Sequence, residues 1–411
     1  MTVEPRDAAG TAADHRPLAG IRVLDIATFL AAPFAGTVLA DFGADVIKIE
    51  QPRVGDPLRR FGTPTECGDT LVWLSEARNK RFLTLDLRVP AGKEVFLRLV
   101  EQSDVVLENF RPGTLERWGL GYDVLRARNP RLILLRVSAY GQTGPYAGKP
   151  GFARVAHGFG GLSHLSGMAD GPPVVPGSTS LADYISGMWG VIGVLIALRE
   201  VERGGEGQQI DVALYESVFR LLDELAPAYA KFGEIRGRLG PDVAHVVPHG
   251  HWRTRDDRWI ALACSSDKLF ERLARLMQRP DLSDPDRFAT NAQRLAGRHE
   301  LDAAIAEWVG SMTLEEVTAA CDAASVPCGP ILSIEHIFAD PQYAQRGDLQ
   351  TVDDPRVGTL VVPAALPKMS RTMPELNHLG AALGAHTTEI LGSLLGLGQA
   401  DIDRLQRDGA I

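Results

Sequence analysis

Cysteine is scarce: four residues in 411, Cys67, Cys264, Cys321 and Cys328, with no two at CxxC spacing. That excludes a disulfide-built scaffold and argues against a zinc site, and it fits a reducing compartment. Positive charge is in deficit. Lysine and arginine number 43 against 52 acidic residues, a net charge of −9, so no basic surplus points to wholesale binding of nucleic acid or of an anionic membrane. Long apolar runs are missing too. The most apolar stretch, Met188–Leu198, has 11 residues against about 20 needed to span a bilayer, and it reads as a buried helix. The first 20 residues are polar and acid-bearing, without the apolar core of a signal peptide. Residues 1–17 read as a floppy leader, and the protein as soluble and cytoplasmic. No GxGxxG or GxxxxGK[ST] follows a strand-like run and no HExxH occurs, which removes the dinucleotide fingerprint, the P-loop and the zincin motif. His249 and His251, two apart in a non-helical context without a suitably spaced carboxylate, do not read as metal ligands.

What is present is an ordinary globular composition, 45% hydrophobic and 23% charged, which excludes a mainly disordered chain. The length fits two to three domains at about 150 residues each. From residue 20 to 140, short apolar runs (20–27, 44–50, 82–87, 103–110, 131–140) alternate with stretches of helical spacing (33–42, 90–101, 112–120). That rhythm predicts an α/β fold with a parallel, doubly wound sheet. The glycine- and proline-rich segment 141–180 looks too loop-like for regular elements, and long loops inside compact domains are often functional. A helix is expected over about 180–202, a strand over 207–214 and helix over 215–234. Residues 235–247 form a linker candidate, a second unit starts at Pro248, another loop-rich region follows to about Pro374, and the tail is helical. The expected division is 18–234, 248–340 and 341–411.

Three clusters carry chemistry. Asp183 is the lone carboxylate at the mouth of an apolar, glycine-punctuated helix. It reads either as a capping carboxylate facing the positive end of the dipole, with Ser178, Thr179 or Ser180 as further caps, or as a desolvated nucleophile or base. Asn109 and Phe110 end a strand, where ligands of open α/β sheets sit; Arg111 and Arg117 beyond them are either solvated turn residues or phosphate contacts. Asn79, Lys80, Arg81 and Arg88 flank another strand in the same way.

Taken together and in order, LDIATFLAAPFAGTVLADFGADVIKIEQPRVGDPLR (24–59), NKRFLTLDL, VVLENFRPGTLERWGL, RVSAYGQTGPYAGKPGF (136–152), LADYISGMWGVIGVLIALRE, GQQIDVALYESV (207–218) and LGAHTTEIL resemble the class III CoA-transferases. The resemblance spans about residues 18–411. It implies a Rossmann-like large domain built from both chain ends, an inserted small α+β domain, and an interlocked homodimer. It implies that Asp183 is the nucleophile, which takes up an acyl group from acyl-CoA and then CoA itself as an aspartyl-CoA thioester, and that acyl-CoA and a small carboxylic acid are the partners. CoA is then a substrate, and no metal or nicotinamide cofactor is implied. Matching positions for CoA contacts are Ala31, Leu85, Arg88, Asn109, Phe110 and Arg117, whereas Thr28, Leu30 and Gln51 depart from some relatives. The segment Pro248–Trp252 stands where relatives have a glycine-rich lid, but with one glycine, Gly250, beside His249.

Within this family the alpha-methylacyl-CoA racemases pair the aspartate with a histidine where this chain has Phe152. Phenylalanine moves no proton, which favours CoA transfer over racemisation, and the presence of Asp183 counts against a non-catalytic CoA-binding role. In the segment GFARVAHGFGGLSHLSG (151–167), Arg154 stands as a charge close to the nucleophile in sequence. It reads as a surface arginine, as a CoA-phosphate contact, or as the partner of a second carboxylate on the acyl group, such as a succinyl, malyl, mesaconyl or itaconyl group.

Overall fold

The computed structural model describes residues 15–411; the first fourteen residues of the expected leader lie outside the described residues. The chain forms two compact units. One takes the residues up to Leu162 together with Val175–Asp223 and Gln345–Ile411; the other takes Ser163–Val174 and Glu224–Ala344.

The first unit is built on six parallel strands: β1 (Arg22–Asp25), β2 (Asp45–Glu50), β3 (Arg81–Thr84), β4 (Val105–Glu108), β5 (Ile133–Ser138) and β6 (Gln209–Ala213), in the order β3-β2-β1-β4-β5-β6. Val23 of β1 pairs with Val46 on one side and Val105 on the other. The apolar runs make this inevitable. A parallel sheet covered by helices on both faces buries every side chain of its central strands, and all of Val105–Glu108 and Ile133–Ser138 are buried. Alternate residues then feed two cores. Val23, Leu107 and Leu135 pack with the helices Ala31–Asp41 and Leu181–Glu202. Leu24, Val106 and Leu134 pack with the helix Pro90–Val100 and the C-terminal helices Thr387–Leu395 and Gln399–Arg407. The tail is tied to the sheet by the backbone, Asp86 N–H donating to Ala410 O at 2.8 Å.

The strand order reverses between β1 and β4. In open α/β sheets ligands lie at the carboxyl ends of the strands flanking such a reversal, so this topology selects the turns that follow Asp25 and Glu108.

Three expectations need correction. Residues 141–180 are not all loop: Ala153–Phe159 is helical because Ala153, Ala156 and His157 supply a buried face. The stretch 341–374 contains a helix, Pro341–Arg346, and an antiparallel hairpin pairing Leu349–Asp354 with Gly358–Pro363. The Leu181–Glu202 helix is buried along one face only; Met188, Ile192, Leu195 and Ile196 are exposed. At 22 residues it is long and apolar enough to cross a membrane, although the 11-residue run inside it is not. In the fold its other face lies on the sheet.

The second unit carries a three-stranded antiparallel sheet of β7 (His249–Arg253), β8 (Trp259–Ala263) and β9 (Cys328–Pro330). Trp252, Ile260 and Leu262 pack with Phe270, Leu301 and Cys321 from its helices.

Candidate active site

The Leu181–Glu202 helix presses against the Ala31–Asp41 helix because glycine lets it. A Cβ at Gly187 would lie 2.7 Å from the carbonyl oxygen of Ala31, and one at Gly190 would lie 2.7 Å from Leu135 Cδ2, so a side chain at either position would force the elements apart. This packing places Asp183, third residue of the helix, on the same cavity wall as Ala31. Burial alone pushes the Asp183 carboxyl up to about 7. The cap position belongs to Ser180, whose side chain makes no capping bond. Ala182 N–H donates instead to Nε2 of buried His157, at 3.0 Å.

The cavity holding Asp183 measures about 210 Å³ and sits over the carboxyl ends of β1, β4 and β5, with Asn109, Phe110, Arg111, Lys149 and Phe152 on its wall. An adjoining cavity of about 240 Å³ shares Thr28 and Phe110 with it and continues past Gln51, Leu85 and Arg88 at the ends of β2 and β3. The wall between them is the turn after β1, in which Phe29 adopts a left-handed φ of 60°. Surrounding groups hold this strained turn. Thr28 N–H donates to Asn109 Oδ1 (2.8 Å), Asn109 Nδ2 donates to Thr28 O (2.6 Å), and Phe29 N–H donates to Asp56 Oδ1 (3.0 Å). Beneath it Lys48 Nζ donates to Ala27 O and pairs with Asp56 Oδ2 at 2.8 Å, while Asp25 is paired with Lys80 at 3.0 Å. Burial lowers the Lys48 ammonium, but Asp25 and Asp56 outweigh it and hold the group above the ordinary lysine range. Phe110 is fixed likewise, its N–H donating to Glu108 Oε2 at 2.7 Å, with its ring edge-on to Trp118, centroids 5.1 Å apart.

Residues 18–387 match the sequence pattern of CoA-transferase family III. The chain belongs to that family. It is 50% identical over 404 residues to the alpha subunit of succinyl-CoA–L-malate CoA-transferase of Chloroflexus aurantiacus, covering 98% of this chain and 94% of that one. The beta subunit from the same organism is 51% identical over 392 residues, covering 95% and 97%. Among solved structures, a CAIB/BAIF family protein from Brucella suis matches with a TM-score of 0.81 at 34% identity, over 93% of this chain and all of that one.

In this CoA-transferase the residues expected from sequence do not all converge. Ala31, Asn109 and Phe110 share the Asp183 cavity, and Phe110, Leu85 and Arg88 line the adjoining one. Thr28 lines both, Leu30 the first and Gln51 the second. Arg88 is half exposed and held two-pronged by Asp86 (2.8 and 2.6 Å), and that guanidinium keeps the Asp86 carboxyl below its usual range. Arg117 is on neither wall; it is exposed and donates to Thr114 Oγ1 at 2.8 Å. Phe152 reaches the Asp183 cavity, 66% exposed, its ring 5.9 Å from that of Phe29. Arg154 does not. It stands exposed on the Ala153–Phe159 helix, whereas Lys149 and Arg111 supply the cations of the cavity. Lys149 stands in GKPGF, where glycine and proline leave no periodicity to show which side of the loop faces the cavity. His249 and Gly250 open β7 of the second unit, paired with Ala263 and Leu262, so Pro248–Trp252 is largely strand and not a free loop.

Proposed function

We propose that this CoA-transferase moves CoA from a short dicarboxylyl-CoA such as succinyl-CoA to a C4 or C5 dicarboxylic acid of the succinate, malate, mesaconate or itaconate kind, through a covalent aspartyl-CoA on Asp183. The observation that carries the reading is a single carboxylate, shifted by burial alone to about 7, in a cavity at the point of strand-order reversal. Such a group ionises near neutral pH and is poorly solvated once ionised, as a nucleophile requires.

The ionised Asp183 attacks the thioester carbonyl of the donor; the C–S bond breaks and CoA leaves as thiolate, giving an acyl-aspartyl anhydride. The thiolate then attacks the aspartyl carbonyl and expels the donor as its free carboxylate, leaving aspartyl-CoA. The acceptor carboxylate reverses the sequence: it displaces the thiolate to form a second anhydride, and the thiolate attacks the acceptor carbonyl, forming the new acyl-CoA and restoring Asp183. The adjoining cavity along β2 and β3 suits the nucleotide end of CoA, with Arg88 at its wall. Lys149 and Arg111 suit the distal carboxylate of the acyl group. Phe152, which carries no proton, supports transfer over racemisation at the α-carbon. The exposed apolar face of the Asp183 helix supports assembly with a second copy, and the thiols Cys67, Cys264, Cys321 and Cys328, none of them in a disulfide, support a cytoplasmic setting.

Protein incubated with succinyl-CoA, quenched and digested, should yield a CoA adduct on the peptide containing Asp183. Asp183→Asn should lack the adduct and lose turnover at least about 10³-fold while keeping its circular dichroism. An adduct on another residue, or sustained turnover by an adduct-free Asp183→Asn preparation, overturns the assignment.

A further inference from the structure

An acidic side chain in the first turn of a helix ordinarily serves the helix. The leading backbone N–H groups have no intrahelical partner, and a carboxylate close by is a natural acceptor for them. Asp183, third in its helix, stands where it would be drawn into that task, since Ser180 at the cap position makes no side-chain bond. Another residue takes the N–H group. His157, reaching in from the Ala153–Phe159 helix, accepts from Ala182 N–H through Nε2 at 3.0 Å. Because Nε2 accepts, the ring proton sits on Nδ1, which is buried without a partner. An unpartnered buried N–H is a standing cost, and the ring's one hydrogen bond is the one its other nitrogen accepts. Burial, and secondarily Arg154, hold the imidazole below the ordinary histidine range, which keeps it a neutral acceptor. The Asp183 carboxylate, meanwhile, has no hydrogen-bond partner among the described residues, and desolvation alone accounts for its raised ionisation.

We propose that His157 is a positioning residue for CoA transfer: by taking the Ala182 N–H it relieves Asp183 of helix capping and leaves its carboxylate free at the cavity. The inference rests on Asp183 being the nucleophile. Remove the imidazole acceptor, and the open N–H is left to the side chains of its own turn, the Asp183 carboxylate among them. Drawn back to the backbone, it gains bonds that favour its charged form and loses its reach into the cavity. The other polar groups around it, Tyr184 on its own helix and Asn109, Arg111 and Lys149 on the cavity wall, stay the same.

The test compares His157→Phe, a ring without an acceptor, with His157→Gln, whose amide oxygen can accept the same N–H. In the phenylalanine variant, kcat should fall about tenfold or more, CoA affinity should stay within about twofold of wild type, and the acid limb of the kcat profile should move to lower pH. His157→Gln should restore both rate and limb. So should Ser180→Asp placed in the His157→Phe background, which supplies the cap from the ordinary position and also covers poor folding of the single variant. A purely structural role would lower Tm and kcat together and leave the limb where it is; that result, or wild-type behaviour of His157→Phe, overturns the proposal. Asp183→Asn, assayed alongside, separates the two failures: turnover there refutes the nucleophile, whereas an inactive Asp183→Asn beside an unaffected His157→Phe refutes only the role of His157.

Discussion

Asn109 and Thr28 hold each other by two hydrogen bonds across the reversal of strand order, N–H to Oδ1 at 2.8 Å and Nδ2 to carbonyl at 2.6 Å. One amide side chain thus satisfies both backbone groups of Thr28, in the turn after β1, and it fixes the wall shared by the two cavities. Asn109→Ala leaves the Thr28 N–H and carbonyl unmatched beside the strained Phe29, at about 1–3 kcal/mol. We expect KM for acyl-CoA to rise about tenfold with a smaller change in kcat; steady-state kinetics with varied acyl-CoA check it, and an unchanged KM would show that the turn holds its shape without Asn109.

The Asp183 carboxyl, raised to about 7 by burial, gives two pH dependences. Protonated carboxyl is a poor nucleophile, so the rate should climb with pH to a plateau above about 7. Stability runs the other way. The folded state holds this proton more tightly than the unfolded chain, so the contribution is fully present at pH values below the unfolded value of 3.8 and is lost as pH rises through about 7. Asp183→Asn should therefore raise Tm relative to wild type more at pH 8 than at pH 5. Equal gains at the two pH values would mean that the folded carboxyl titrates normally.

Much of this site is legible in the sequence as pattern. The runs through Val23, Val46, Val105 and Ile133 announce buried parallel strands, and Asn109 and Phe110 follow from placing ligands at strand ends. What could not be read is which groups at a distance in sequence meet. His157 and Ala182 are 25 residues apart, and Asp56 and Phe29 are 27 apart; nothing in local periodicity links them. The helix Ala153–Phe159 hid among glycines, and with it the direction of Arg154 and the side of the loop on which Lys149 lies. The strand at His249 was obscured because its apolar, inward residues include a glycine, Gly250.

Arg88 and Arg117 look alike in sequence, each basic and downstream of a strand, but of the two only Arg88 lines either of the cavities described above. Arg88→Ala should raise KM for acyl-CoA several-fold, about 3- to 10-fold, given that Asp86 already offsets part of its charge. Arg117→Ala should change KM less than about twofold. A larger effect at Arg117 than at Arg88 would place the phosphates of CoA away from the β2–β3 cavity.

Acceptor choice separates Lys149 from Arg154. Lys149 lines the cavity of Asp183, its ammonium 3.6 Å from the centre of the Tyr146 ring, whereas Arg154 stands off the wall. A charge-assisted bond to a distal carboxylate contributes about 1.5–3 kcal/mol. Lys149→Met should therefore lower kcat/KM for succinate or malate about 10- to 150-fold relative to a monocarboxylate of similar size such as butyrate. Arg154→Gln should leave that ratio within about twofold. The ratio is the informative quantity, because a lysine that contacted only CoA would depress every acceptor equally. A changed ratio in Arg154→Gln with none in Lys149→Met would move the distal carboxylate to the outer face of the Ala153–Phe159 helix.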